Sequence, residues 1–163
     1  MSAEEFPVTH AVRVLREKGI DFSPHLYAYK DRGGTRFAST MLHVNEHHIV
    51  KTLCMETDQN QALIVLMHGD REVSTKQLAR HLGTKRVTPC DVRSAQRYTG
   101  YMVGGISPFG IRVRMKVYAE ATIFELDRIF INGGKRGFMV EMNPGDLEKI
   151  FPVERIHVAI DPT

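Results

Sequence analysis

The segment Thr99–Gly110, with the sequence TGYMVGGISPFG, is the most informative part of this chain. Four of its twelve residues are glycine, one is proline, and none carries a charge. Glycine lets the backbone adopt positive φ angles and approach a ligand closely, and consecutive exposed N–H groups can form a concave site for an anion. The segment is therefore predicted to be a loop that wraps around a bound group.

A second glycine-rich segment, Asn132–Gly137, has the sequence NGGKRG. It lies between the apolar runs Ile129–Ile131 and Phe138–Val140, a pattern that is typical of a hairpin turn between two strands. The structural interpretation is a tight turn. The functional interpretation adds that its two cations, Lys135 and Arg136, could reach a phosphate group.

Length and composition indicate one soluble globular domain over residues 1–163, with 42% hydrophobic and 25% charged residues and a net charge of +3. This mildly basic balance permits a polyanionic partner without requiring one. The two cysteines, Cys54 and Cys90, form no CxxC pair, and no apolar run approaches the ~18 residues of a membrane span. We expect a cytoplasmic protein with reduced thiols and no membrane association.

Short helices and more numerous strands are predicted along the chain. Capping residues and apolar spacing predict helices over Thr9–Lys18, Phe37–Val44, Ser74–His81, Asp91–Arg97 and Pro144–Ile150. Alternating or continuous apolar runs predict strands over Ile49–Glu56, Gln61–His68, Ile111–Ala119 and Val153–Ile160, and a hairpin over Asp127–Met142. Because the order is not a regular βαβ alternation, the predicted class is α+β with a curved mixed sheet and flanking short helices.

The chain resembles the YbaK family of aminoacyl-tRNA editing deacylases, which is similar to the editing domain inserted in bacterial prolyl-tRNA synthetases. Several segments carry the resemblance in the family's order across nearly the whole chain. They are Thr9–Leu15, His25–Tyr27, Val50–Leu53, Leu78–Gly83, Ala95–Gly110, Asn132–Gly137 and Gly145–Leu147. The resemblance implies a barrel-like mixed sheet and hydrolysis of a mischarged amino acid, cysteine in the members most similar to this motif set, from tRNA(Pro).

The resemblance also implies the site residues. The family's essential lysine matches Lys51, its pocket glycines match Gly104 and Gly105, and its pocket tyrosine matches Tyr27. The chain departs from the family at Met139, where the best-known members carry aspartate in a Gly-x-Asp-x-Glu pattern. An acidic pocket group is thereby lost, which affects the choice of amino acid more than the class of reaction.

Ester hydrolysis passes through a tetrahedral oxyanion that preorganised N–H groups stabilise. We expect these donors in the Gly104–Ile106 backbone, with Ile106, Ser107 and Pro108 binding the substrate. Because no partner base is evident for Ser107, a hydrogen-bonding or turn role is favoured for its hydroxyl over a nucleophilic one. The attacking group is left open between water, the ribose hydroxyl and the substrate's own side chain. A set of cations at the two glycine segments is predicted to contact the tRNA acceptor end: Arg97, Lys135 and Arg136. Prolyl-tRNA synthetase is a candidate partner.

No metal or cofactor is expected. The adjacent pair His47 and His48 would point in opposite directions on a strand, and no ligand spacing supports a metal site. Two other function classes remain open. One is a non-catalytic module of the same fold that binds an aminoacyl-tRNA or a synthetase, and the other is a hydrolase of small esters or thioesters.

Overall fold

The computed structural model describes residues 5–162, which form ten strands and five α-helices. The strands are β1 (Ser23–Leu26), β2 (Ile49–Thr57), β3 (Ala62–His68), β4 (Glu72–Val73), β5 (Val87–Pro89), β6 (Lys116–Glu120), β7 (Ile129–Lys135), β8 (Phe138–Met142), β9 (Val153–Ile156) and β10 (Ala159–Ile160). The helices are α1 (His10–Glu17), α2 (Gly34–Leu42), α3 (Thr75–Leu82), α4 (Val92–Thr99) and α5 (Leu147–Ile150).

Eight of the strands form one mixed sheet in the order β1-β8-β7-β2-β3-β6-β9, with β5 paired beside β2. The pairs β1–β8, β7–β8, β2–β3 and β2–β5 are antiparallel, whereas β2–β7, β3–β6 and β6–β9 are parallel. Strands β4 and β10 form a separate two-stranded sheet. This arrangement confirms the predicted α+β class with a mixed sheet, which does not close into a barrel within the described residues.

Three of the five α-helices begin at the predicted capping residues. The side chains of Thr9, Ser74 and Asp91 each accept a hydrogen bond from a backbone N–H in the first helical turn. Helix α2 begins at Gly34, three residues earlier than predicted. The segment predicted as one helix from Pro144 divides into a 3₁₀ turn followed by α5.

The apolar run Leu63–Met67 in β3 is buried on both faces of the sheet, as its continuous hydrophobicity predicts. Ile64 and Leu66 face a large core that also contains α1 and the side chain of Phe109. Val65 and Met67 face a smaller core on the opposite side, against α3. The centre of the sheet is therefore fixed by two cores, and the site described below lies beside β2.

The predicted strand Ile111–Ala119 was wrong in its first half, because β6 begins only at Lys116. The N–H groups of Arg112 and Val113 donate to the carbonyls of Thr99 and Tyr98, at 3.0 and 2.8 Å. These bonds tie the segment to the end of α4 instead of to a neighbouring strand. The alternation does not mark a buried face in this half, because Val113 is exposed and Ile111 is only partly buried.

No helix between residues 5 and 162 has the length and apolar character needed to cross a membrane.

Candidate active site

A cavity of about 500 Å³ lies beside β2 and below the first glycine segment. Its walls come from β2, the turn between β1 and α2, the junction of β5 with α4, and the loop after α4. The residues that line it include Tyr27, Tyr29, Lys30, Asp31, Arg32, Phe37, Lys51, Cys54, Cys90, Gly104, Ile106, Asn132 and Met139. Five of the predicted site residues therefore line one cavity: Tyr27, Lys51, Gly104, Ile106 and Met139.

The side chain of Asn132 joins the two glycine segments. Its Oδ1 accepts hydrogen bonds from the N–H groups of Gly134 and Lys135, at 2.6 and 3.2 Å, which closes the turn of the second segment. Its Nδ2 donates to the carbonyl of Gly104 in the first segment, at 3.2 Å. One amide therefore fixes the position of the loop that forms the roof of the cavity.

Gly104 and Gly105 disfavour a side chain for different reasons. Gly104 has a φ of +94°, a conformation that residues with a side chain rarely adopt, and a Cβ there would also meet the hydroxyl of Tyr29. A Cβ on Gly105 would lie 2.8 Å from the backbone nitrogen of Arg136 and 2.9 Å from the carbonyl carbon of Lys135. The two glycine segments thus pack backbone against backbone, which explains why both are rich in glycine.

The structure leaves fewer backbone N–H groups available to bind an oxyanion than the sequence predicted. The N–H of Gly105 donates to the carbonyl of Met102 at 2.8 Å, so it closes a turn. Gly105 therefore has a structural role. The N–H groups of Gly104 and Ile106, two residues that line the cavity, remain candidates for this function.

Lys51 lies on β2 with its side chain half-buried in the cavity wall. Its Nζ donates to the carbonyl of Arg71 at 2.5 Å. Burial lowers the pKa of Lys51, and the carboxylates of Glu72, Glu46 and Asp70 oppose that shift. Lys51 thus lines the cavity while its ammonium is bonded to a carbonyl outside the lining residues. An anionic group that reaches this half-buried ammonium would interact with it more strongly than in water.

An apolar part of the cavity wall contains Tyr27 and Met139. Met139 is buried against Ile49 and Phe130, and Tyr27 packs on the same cluster. Burial raises the pKa of the Tyr27 hydroxyl, and the neighbouring Tyr29 adds to the shift. Methionine at 139 thus presents a neutral surface at the position where the resemblance predicts a carboxylate.

Ser107 and Pro108 are buried and do not belong to the residues that line the cavity. The Ser107 hydroxyl accepts a hydrogen bond from the N–H of Phe109 at 3.2 Å, and Phe109 is fully buried. Both residues shape the loop from inside the core. The turn role predicted for Ser107 fits this geometry. The predicted contact of Ser107 and Pro108 with a substrate is not supported by it, because neither residue lines the cavity.

Three predicted tRNA-binding cations are exposed at the surface: Arg97, Lys135 and Arg136. The guanidinium of Arg136 lies over the ring of Tyr29 at 5.1 Å, and its Nε donates to the carbonyl of Val103 at 2.9 Å. Arg136 therefore supports the roof of the cavity as well as adding charge near it. Arg97 stacks on its neighbour Tyr98 instead.

The turn before α2 was missed as part of the site by the sequence analysis. Lys30, Asp31 and Arg32 line the cavity, and Arg32 has a φ of +61°, which is uncommon for a residue with a side chain. The glycine pair that follows, Gly33 and Gly34, was the available signal. Nothing in the local sequence indicates that this turn folds back onto β2.

A cluster of His47, His68 and Asp70 has ligand atoms within 4.8 Å of one another, but its hydrogen bonds are already satisfied. Nδ1 of the buried His68 donates to the carbonyl of His47 at 2.8 Å, and its Nε2 accepts from the hydroxyl of Thr122 at 2.7 Å. His47 Nδ1 pairs with Asp70 at 2.8 Å. His68 has no free lone pair for a metal, so the cluster is a polar network beside Lys51.

Comparison with known proteins assigns the chain to a family. The model of the aminoacyl-tRNA editing domain matches residues 36–150, which include Lys51 and both glycine segments. The chain belongs to the aminoacyl-tRNA editing domain family. The family resemblance stated from the sequence is thereby confirmed, together with the class of enzyme, an aminoacyl-tRNA deacylase.

Relatives with this editing domain include both free-standing proteins and parts of synthetases. EbsC of Enterococcus faecalis, a candidate Cys-tRNA(Pro)/Cys-tRNA(Cys) deacylase, is 25% identical over 137 residues, which cover 83% of this chain and 84% of EbsC. A proline–tRNA ligase of Moorella thermoacetica is 32% identical over 107 residues, which cover 65% of this chain but only 18% of that longer protein.

Solved structures support the fold. A candidate trans-editing enzyme for prolyl-tRNA synthetase superimposes with a TM-score of 0.82 at 17% sequence identity, covering 96% of this chain and 99% of that one. At this level of identity the similarity shows a shared fold.

Replacing Gly105 with alanine tests the backbone contact between the glycine segments. The added Cβ would meet backbone atoms that cannot rotate away, so Gly105→Ala should lower the free energy of unfolding by about 1–3 kcal/mol. Urea unfolding measures this change. Gly145→Ala, on an exposed turn where a Cβ would lie 3.3 Å from the side chain of Asn143, is the control and should stay within about 0.5 kcal/mol. Equal effects at the two positions would contradict the close packing.

The pKa of His68 predicts a specific loss of stability in acid. Burial lowers the pKa of His68, so below about pH 6.5 the unfolded chain binds a proton that the native protein does not. Stability from this group is present above the unfolded pKa and falls with decreasing pH, by at most about 1.4 kcal/mol per pH unit. The variant His68→Gln lacks this titration and should show a shallower decline in urea unfolding between about pH 6.5 and 5. Parallel curves would contradict the assignment.

Proposed function

We propose that this protein is a trans-acting editing hydrolase that removes a mischarged amino acid, with cysteine as the leading candidate, from tRNA(Pro). The observation that carries the proposal is the meeting of Lys51 with the backbone of Gly104 and Ile106 in one cavity. Membership of the editing-domain family supports the reaction class. The similarity to EbsC over most of both chains supports cysteine and tRNA(Pro) as substrate.

The cavity offers what ester hydrolysis needs. Attack on the aminoacyl ester places negative charge on the carbonyl oxygen, and a preorganised N–H aimed at that oxygen lowers the barrier by about 3–4 kcal/mol. We assign this role to the N–H groups of Gly104 and Ile106. Lys51 adds a positive charge at an apolar wall, where it stabilises either the oxyanion or the phosphate of the terminal nucleotide.

The lining of the cavity favours an uncharged amino acid. Met139 and Tyr27 form one part of the wall, and Cys54 and Cys90 belong to another. Glu141, two residues after Met139, is engaged by His25 at 2.8 Å and by Arg128 at 3.3 Å. Among the lining residues that the structure describes, the carboxylate belongs to Asp31, which is exposed, so a cationic side chain would have no buried partner and would pay a desolvation cost.

We assign the attack to a group from outside the protein. Among residues 5–162, the cavity lining contains no serine and no histidine, and burial raises the pKa of its two cysteine thiols, Cys54 and Cys90, which disfavours the nucleophilic thiolate. Water, the neighbouring ribose hydroxyl and the thiol of a cysteinyl substrate are the three candidates. Attack by the substrate's thiol would make the reaction specific for cysteine without any selective contact from the protein.

The tRNA end is held by few charges. Lys135 and Arg136 flank the roof of the cavity, and Arg97 adds a third cation on α4. Because the net charge is only +3, binding of free tRNA by charge alone is weak. Association with prolyl-tRNA synthetase would raise the effective concentration of the mischarged product near the cavity.

Removal of the Lys51 charge should abolish most of the activity. With Cys-tRNA(Pro) as substrate, Lys51→Ala is expected to lower the deacylation rate by about 100-fold or more, which is the scale of losing one oxyanion-stabilising group. Lys51→Met keeps the aliphatic length and should lose as much. Circular dichroism and urea unfolding establish that the variants are folded.

The exposed Lys76 on α3 provides the control, and Lys76→Ala should retain the wild-type rate. Full activity in both Lys51 variants would overturn the assigned role. A wild-type protein that binds Cys-tRNA(Pro) without hydrolysing it would favour the alternative, a non-catalytic module that binds an aminoacyl-tRNA or a synthetase.

Lys135 should contribute to binding through one phosphate contact. If so, Lys135→Ala reduces the slope of log affinity against log salt by about 0.7–0.9, with a loss that is similar for all tRNA sequences. Fluorescence anisotropy at several salt concentrations measures the slope, and Lys76→Ala is again the reference. An unchanged slope would place the tRNA elsewhere on the surface.

A further inference from the structure

The two cysteines of the chain meet in the wall of the cavity. Cys54 lies on β2 and is buried, Cys90 follows β5 and is half-buried, and their sulfurs are 3.4 Å apart. The N–H of Cys90 donates to the carbonyl of Cys54 at 3.0 Å. This bond extends by one residue the antiparallel register in which Met55 opposes Pro89, so the cysteines are direct cross-strand neighbours.

Such a pair can form a disulfide without rearranging the backbone. Residues directly opposite on antiparallel strands have Cα atoms about 4.5–5.5 Å apart, within the range of about 4.4–6.8 Å that disulfides span. The sulfurs must approach from 3.4 Å to a bond length of about 2 Å, which small side-chain rotations can supply. Neither cysteine has a role in the proposed hydrolysis, so the pair is free for another chemistry.

We propose that Cys54 and Cys90 form a dithiol site that low-molecular-weight disulfides, such as glutathione disulfide, convert into an intramolecular disulfide. In this way the pair prevents a bulky mixed disulfide from persisting in the cavity. The inference goes beyond the proposed function and does not depend on it.

The reaction is two thiol–disulfide exchanges. The thiolate of one cysteine attacks a sulfur of the small disulfide, forming a protein mixed disulfide and releasing one small thiolate. The thiolate of the second cysteine then attacks the first protein sulfur, which forms the Cys54–Cys90 bond and releases the second small thiolate. The protein loses two electrons and two protons in total, and the small disulfide is reduced to two thiols.

A protein with one of these cysteines and a protein with both would end the reaction with different groups in the cavity. A mixed disulfide at either sulfur would add a peptide-sized group to a space of about 500 Å³. The internal disulfide adds no atom. Burial raises the pKa of both thiols, and the carboxylates of Glu56 and Asp91 contribute at Cys90, so the exchange is slow near neutral pH.

Intact-protein mass spectrometry of the full chain tests this inference. Wild type, Cys54→Ala and Cys90→Ala are incubated with excess glutathione disulfide in mildly alkaline buffer and measured over time. The wild type should lose the mass of two hydrogens and carry no adduct at the end point. Each single variant should gain one glutathionyl group, and peptide mapping should show a Cys54–Cys90 cross-link in the wild type only.

Three results would overturn the inference. They are a wild type that keeps a stable glutathionyl group, a wild type that stays reduced, and a cross-link between two molecules. If an alanine variant does not fold, the corresponding serine variant replaces it in the same measurement. Since no arm measures deacylation, a failure here is distinct from a failure of the proposed function.

Discussion

The side-chain amide of Asn132 is the contact on which the geometry of the cavity depends. It closes the turn of one glycine segment through its oxygen and holds the carbonyl of Gly104 in the other through its nitrogen. The two glycine segments can approach this closely because Gly105 has no side chain and its backbone lies against that of Lys135 and Arg136. The roof of the cavity is therefore placed by main-chain packing and one buried amide, which leaves little freedom for the N–H groups of Gly104 and Ile106.

The second constraint is electrostatic and concerns Lys51. An ammonium beside an apolar wall is costly unless it has partners, and here the carbonyl of Arg71 and three nearby carboxylates stabilise it. One of these carboxylates, Asp70, is itself bound by His47, which stacks on the buried His68. The polar network of His47, His68 and Asp70 thus supports the charge that the proposed chemistry uses.

The sequence predicted those parts of the fold that local interactions determine. The caps at Thr9, Ser74 and Asp91 and the doubly buried strand β3 follow from nearby residues alone. The alternating run from Ile111 misled the prediction, because its N–H groups bond to the end of α4 and not to a strand. The alternation in this run identified neither the partners of the backbone nor a buried face, since Val113 is exposed and Tyr118 is buried.

The candidate site was predictable where a specific motif exists and unpredictable where distant segments meet. Lys51, Tyr27 and Gly104 were identified through the family resemblance, and the structure brings them to one cavity. The turn at Arg32 and the approach of Cys90 to Cys54 depend on pairings between segments far apart in the chain. No local pattern encodes such pairings, so only the structure could reveal them.

The most direct measurement is a crystal structure of the protein with cysteinyl-3′-amino-adenosine, in which an amide replaces the scissile ester. The analogue should occupy the cavity beside β2, with its carbonyl oxygen about 2.7–3.1 Å from the N–H of Gly104 or Ile106. The Lys51 side chain should face the same reacting group. Binding outside this cavity, or with the carbonyl directed away from the glycine loop, would contradict the assignment of the site.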